Sequence, residues 1–282
     1  MLVRRWSGAG HPVLYVHGAT FPSALSVGYR FGGRSWADDL TIRGFDVWAF
    51  DFIGFGGSTR PRAMSEPAAS AAPLVRAAEA ALQIGAVVDH IRRERGGSPI
   101  HLIAHSWGSI ATGLFAGDNA EAVGRLVLFG PIARRQVPGL PPADRIGAWR
   151  DVSIADQLKR FVEDVPASHP PVLIEADLAT WGPDYLATDP DATKRTPPAV
   201  RIPSGPQADI IAAMSGQLGY DPHRVLAPTL IVRGEWDSLC QSADAAWLTG
   251  ALGAGEKADV VIPAATHLMH LEHGREALFA AT

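Results

Sequence analysis

The stretch Pro99-Ile100-His101-Leu102-Ile103-Ala104-His105-Ser106-Trp107-Gly108-Ser109-Ile110-Ala111-Thr112-Gly113-Leu114-Phe115-Ala116 decides how the chain is read. Its first part is a short apolar run and reads as a buried strand. Its last part reads as a helix. Ser106 stands at the corner between them, where a strained turn exposes a serine oxygen at the end of a sheet. Such a corner needs small flanking residues, because strand and helix nearly touch. Gly108 meets that need on one side, and Ala104 meets it with one extra methyl on the other. A serine that merely caps the helix would fit the same residues, so the partners elsewhere in the chain decide.

Outward from this corner the chain alternates strands and helices. Val13–Val16 reads as a strand running into His17-Gly18-Ala19-Thr20. Ser35 and Asp38 have capping-box spacing, and Gly44 is a stop, which predicts a helix over 36–43. Asp46–Phe50 reads as a strand, followed by the glycine-rich turn Asp51-Phe52-Ile53-Gly54-Phe55-Gly56-Gly57-Ser58. That turn lacks the Gly-Lys-Ser/Thr ending of a phosphate loop. Ala71–Arg95 reads as a long helix ended by Gly96-Gly97, and Arg125–Phe129 as a further buried strand. The rhythm then breaks. Prolines crowd the segment 134–205, with short helical patterns between them, notably from Asp144 to Asp164. It resumes with strands at 228–232 and 258–262. The alternation implies a mostly parallel central sheet flanked by helices. The proline-rich segment is expected to be an inserted helical cap: core over 1–133, cap over 134–205, core again over 206–282.

A serine nucleophile needs a base, and the base needs an orienting acid. In open parallel sheets the site lies at the carboxyl ends of the strands. Asp237 follows the 228–232 strand in Gly234-Glu235-Trp236-Asp237, and His267 follows the 258–262 strand. The expected triad is Ser106, Asp237 and His267. Glu235 is expected to point elsewhere. His105 is a second base candidate, but neighbours on a tight corner point apart. Two oxyanion donors are expected, the backbone N–H groups of Trp107, at a helix N-terminus, and of Ala19. Thr20 offers a hydroxyl nearby. Trp149 and Trp181 are expected to wall the substrate pocket beneath the cap. His267, His270 and His273 are spaced by three, yet Glu272 is the only close carboxylate, so no metal is expected.

The motifs together resemble the α/β-hydrolase superfamily. They are His17-Gly18, the turn from Asp51 to Ser58, the corner around Ser106, Gly234-Glu235-Trp236-Asp237 and Thr266-His267, in the chain order serine, acid, histidine. The resemblance implies no organic cofactor and no metal. It departs at the start, where residues 1–10 supply about one strand in place of a first hairpin. It implies cleavage of an ester, lactone or thioester of a small to medium hydrophobic substrate. Carbon–carbon bond hydrolases and cofactor-free perhydrolases share the triad, and a hydrolase-like small-molecule receptor is the reading from another class. A serine at the nucleophile position speaks against the branches that attack with a carboxylate.

The totals fit a globular protein. The chain has 282 residues, 47% hydrophobic and 19% charged, with a net charge of −4. That charge leaves no basic footprint for nucleic acid or an anionic membrane. The partner expected is a small-molecule substrate. Cys240 is the single cysteine, so no internal disulfide forms. The first residues lack the apolar run of a signal peptide, and no stretch reaches the roughly 18 apolar residues of a membrane span. The expectation is a cytoplasmic protein.

Overall fold

The computed structural model describes residues 1–282, apart from the side chains at 144 and 175. Seven strands form one sheet in the order β1-β3-β2-β4-β5-β8-β9. They are β1 (Leu2–Trp6), β2 (Pro12–Val16), β3 (Asp46–Asp51), β4 (Ile100–His105), β5 (Val123–Phe129), β8 (Thr229–Gly234) and β9 (Lys257–Ile262). All neighbours run parallel except β1, which pairs antiparallel with β3 at the edge. The ten residues at the start therefore do supply one strand. Every residue of β2 and β3 is buried, as expected of strands covered on both faces.

The helices that cover the sheet follow from local chemistry. In α1 (Trp36–Ile42), Ser35 and Asp38 make the reciprocal capping box. Helix α2 (Ala77–Glu94) starts six residues later than the sequence suggested. Pro73 disfavours helix before it, and Val75 takes a left-handed φ of 59°. Helix α3 (Gly108–Asp118) is buried nearly all round, packed between α2 and the sheet. Its first turn touches the end of β2. A Cβ on Gly108 would fall 2.6 Å from the carbonyl oxygen of His17, so only glycine fits. Ala104 sits in β4 with no exposed surface and needs no such relief. Helices α7 (Ser242–Ala251) and α8 (Arg275–Ala281) close the core near its far edge.

The segment between β5 and β8 differs from a purely helical cap. It holds a two-stranded antiparallel sheet, β6 (Trp149–Ser153) with β7 (Ala199–Pro203), around helices α4 (Ile154–Val162) and α5 (Glu175–Ala187). The helical pattern expected from Asp144 to Asp164 thus resolves into a short 3-10 turn, a strand and a shorter helix. Alternating Arg150, Val152 and their neighbours pair with β7, and Ser153 with Asp156 caps the helix only at 154. Helix α6 (Gly205–Met214) follows at once. Its end accepts hydrogen bonds from Arg135 N (3.0 Å to the Ala213 oxygen) and Val137 N (2.8 Å to the Met214 oxygen). It is thus tied to the start of the inserted segment and also to the core, where Asp209 accepts from the Ala77 N–H at 2.7 Å. Among the described residues no helix is long and apolar enough to cross a membrane.

Candidate active site

Ser106 lies at the carboxyl end of β4 with φ +55°. Few non-glycine residues tolerate that conformation, and it persists because the surroundings fix it. The Ser106 N–H donates to the Phe129 oxygen of β5 at 2.9 Å, and its carbonyl accepts from the Ser109 N–H, also at 2.9 Å. The corner is thus tied to the next strand on one side and to α3 on the other. The side chain that results faces a loop from β9. His267 Nε2 lies 2.8 Å from Ser106 Oγ. His267 Nδ1 lies 2.8 Å from Asp237 Oδ2.

The proton positions follow from the partners. An ionised Asp237 only accepts, so Nδ1 carries the imidazole proton and Nε2 offers a lone pair to the serine hydroxyl. Asp237 Oδ1 accepts from the N–H groups of Leu239 (2.8 Å) and Cys240 (2.9 Å). Burial acts to raise the Asp237 carboxyl, but His267 and these two donors outweigh it and hold it below the ordinary carboxylate range. Glu235 points away, as expected, and accepts from the Ala264 N–H at 2.9 Å. Cys240 is buried, and burial pushes its thiol up.

The loop after β2 is held by a histidine. His17 Nε2 accepts from the Phe52 N–H at 3.1 Å, so its Nδ1–H donates to the Gly18 oxygen at 2.8 Å. Burial lowers the His17 pKa to about 4 and keeps the ring neutral in this role. The Gly18 carbonyl is thereby turned toward His17, and Ala19 lines the cavity beside Ser106. Gly18 itself is close-packed. A Cβ there would fall 3.2 Å from the Ser106 Cβ. Trp107 enters α3 in helical conformation, with its N–H in the first turn where the helix dipole favours negative charge. Its indole turns away from the cavity and donates to Asp209 Oδ2 at 3.0 Å.

His105 is not the base. Its Nε2 lies 3.1 Å from the His267 oxygen, its ring stacks on Phe129 at 4.4 Å, and burial holds its pKa well below 6.5. His270 lies 3.0 Å from Ser26 Oγ through Nε2, and burial lowers it to about 3. Among the described residues no three metal-type side chains converge.

A cavity of about 210 Å³ opens over Ser106 and His267. Ala19 and Thr20 line it, with the Thr20 hydroxyl 3.2 Å from Gln157 Oε1 of α4. The two tryptophans expected in its wall do not reach it. Trp181 is fully buried one layer back, stacked on Tyr185 and edge-on to Phe21 and Phe161, with Nε1 donating to the Leu25 oxygen at 3.1 Å. Trp149 faces the outside of β6, beneath the Arg201 guanidinium at 3.2 Å, and donates to the Glu66 oxygen. The wall is built instead by Arg150, Arg160, Phe161, Ile210 and Ile211. Alternation along a strand places 149 and 150 on opposite faces. Reading 149–153 as a strand would have exchanged Trp149 for Arg150.

Residues 33–274 match the family model described as Hydrolase_4, serine aminopeptidase, S33. A search of the curated proteins gives no match. Among solved structures, the chain is similar to a thioesterase domain from the curacin biosynthetic pathway (TM-score 0.66, 16% identity, 99% of this chain and 93% of that one). It is also similar to the esterase EaEST from Exiguobacterium antarcticum (TM-score 0.66, 18% identity, 99% and 92%). A third similar structure is a monoacylglycerol lipase from Paleococcus ferrophilus (TM-score 0.62, 18% identity, 100% and 96%). At these identities the likeness is one of fold.

Proposed function

Because the chain belongs to the Hydrolase_4 (serine aminopeptidase, S33) family of α/β-hydrolases, we propose that it is a serine hydrolase cleaving a carboxylic ester, lactone or thioester. The single observation that carries this reading is the continuous line of hydrogen bonds from Ser106 through His267 to Asp237, 2.8 Å at each step.

The steps follow from that line. Ser106 Oγ attacks the substrate carbonyl carbon while His267 Nε2 takes the hydroxyl proton. Asp237 holds the ring and stabilises the imidazolium. The carbonyl oxygen becomes an oxyanion, and we assign its reception to the N–H groups of Ala19, which lines the cavity, and Trp107, at the start of α3. Collapse of the intermediate breaks the bond to the leaving alcohol or thiol, which takes the proton from His267. Water then attacks the acyl-serine, with His267 again as base, releasing the acid and restoring Ser106. One water is consumed, and one acid and one alcohol or thiol are formed. The esterase, the thioesterase domain and the lipase to which the chain is similar in fold support the choice of ester or thioester over other acyl bonds.

The test is turnover of 4-nitrophenyl esters of graded chain length by the wild type and Ser106→Ala. The wild type is expected to turn over at least one of them, and the variant to lose at least about a hundredfold. A wild type inert to esters, lactones and thioesters alike would remove the proposal.

A further inference from the structure

Two arginines enter the wall of the cavity over Ser106 from one contiguous piece of the inserted segment, β6 and α4. They differ in how they are neutralised. Arg160 Nη1 donates to Glu163 Oε1 and Asp164 Oδ2, each at 3.0 Å, so two carboxylates answer its charge. Its Nη2 is nevertheless buried with no hydrogen-bond partner. Arg150 has neither an ion pair nor a hydrogen bond among the described residues, and its Nε is buried and unpartnered. The carboxylates near it in sequence are engaged elsewhere. Asp151 pairs with Arg201 at 2.9 Å, and Asp156 caps α4 through Ser153.

Arg150 is half-buried, and its Nε, cut off from water, finds no acceptor; such a donor is costly because it loses its water and gains nothing. Burial accordingly pulls the Arg150 pKa below its ordinary value. A surface arginine of β6 could turn outward, as Arg201 of β7 does onto Trp149. Arg150 instead faces the cavity that holds the nucleophile. The other groups around it add no second unpaired positive charge: His105 is kept neutral by burial, and Arg160 is answered by two carboxylates. Arg150 is therefore the one cation of the cavity wall without a carboxylate partner among the described residues, beside the apolar Phe161, Ile210 and Ile211.

We propose that the substrate carries a free carboxylate besides the bond that is cleaved, and that Arg150 is its receptor. This rests on the serine-hydrolase reading above. The planar fork of arginine binds a carboxylate through two parallel N–H donors. One unpaired guanidinium matches one negative charge, which favours a carboxylate over a dianionic phosphate monoester. The substrate class is then a half-ester or half-thioester of a dicarboxylic acid, short enough for one end to meet Ser106 while the other meets Arg150.

The experiment compares kcat/KM for 4-nitrophenyl hydrogen succinate and glutarate with their neutral methyl esters, and with the analogue bearing a terminal phosphonate. The wild type is expected to prefer the carboxylate over the neutral ester by about 10- to 100-fold, the range of a charge-assisted pair. Arg150→Met should collapse that ratio toward one, and Arg150→Lys should restore part of it. Because the ratio is taken within one protein sample, it is independent of the fraction that folds. A wild type that turns over the neutral ester as well as the acid, that prefers the phosphonate, or whose preference survives Arg150→Met overturns the carboxylate receptor. A wild type inert to all of these esters would instead count against the serine-hydrolase reading itself.

Discussion

Gly130 lies directly against His267. A Cβ built on Gly130 would fall 2.9 Å from His267 Nδ1 and 3.0 Å from Asp237 Oδ2. Gly130 also has φ +51°. The end of β5 is therefore bare so that the acid of β8 can reach the histidine of the β9 loop across it. Gly130 and Pro131 put no side chain in the way between Asp237 and His267.

Gly130→Ala is expected to push His267 and Asp237 apart while the fold survives. The left-handed conformation costs a non-glycine residue about 1–2 kcal/mol. A modest fall in melting temperature should accompany a loss of kcat of at least about tenfold, since misplacement by one ångström is costly to a positioned base. Circular dichroism and ester turnover on one preparation check both halves.

Asp237→Asn should keep the hydrogen-bond geometry and lose the catalysis. An amide side chain can donate to Nδ1, which favours the wrong tautomer and removes the lone pair at Nε2. A loss in kcat of about 10⁴-fold is the scale known for such a change in a serine protease. Steady-state turnover of an activated ester measures it. A residual rate within tenfold of the wild type would assign the acid elsewhere.

Glu272 links stability to pH. Burial raises its carboxyl to about 7 from an ordinary 4.5, against hydrogen bonds from Thr266 that act to lower it. The folded protein thus binds a proton up to about pH 7 that the unfolded chain releases near 4.5. Between those values the folded state holds more protons, so this residue's contribution is full below pH 4.5 and lost as pH rises through 7. The effect is on the order of 3 kcal/mol at most. Glu272 joins the two parts of the site, bridging to Leu173 of the inserted segment and holding Thr266 beside His267. Glu272→Gln should be the more heat-stable protein at pH 8 and lose that advantage near pH 5. Thermal melts across this window decide it.

Trp181→Ala should destabilise the inserted segment by about 3–5 kcal/mol, the range for a buried aromatic, and lower activity toward every ester alike. Trp149→Ala should cost far less, because its ring is partly exposed and its one indole bond goes to a surface loop. Selective loss toward one chain length in either variant would return that tryptophan to the pocket.

The core of the sheet and the three residues brought together at its edge were legible because each leaves a local mark. A buried strand ending at Ser106, an acid after β8 and a histidine after β9 are short-range patterns that parallel topology brings to one edge. The pocket was not legible, because its wall comes from the inserted segment, where prolines and mixed patterns obscure the period. Trp149 and Trp181 drew the eye as large apolar side chains. Size favours burial in the cap core as much as exposure to a ligand, and Trp181 went to the core. Arg150 left no mark of its own, because an arginine in sequence reads as solvated until its neighbours are known to be occupied. Likewise α6 reads as core helix, since its apolar residues face inward whether they meet the sheet or the cavity.

The most direct measurement is the mass of the intact protein after brief reaction with a 4-nitrophenyl ester and acid quenching, followed by peptide mapping. The account predicts one acyl group added in the wild type, on the peptide containing Ser106, and none in Ser106→Ala. An acyl group on another residue, or equal labelling of Ser106→Ala, would contradict it.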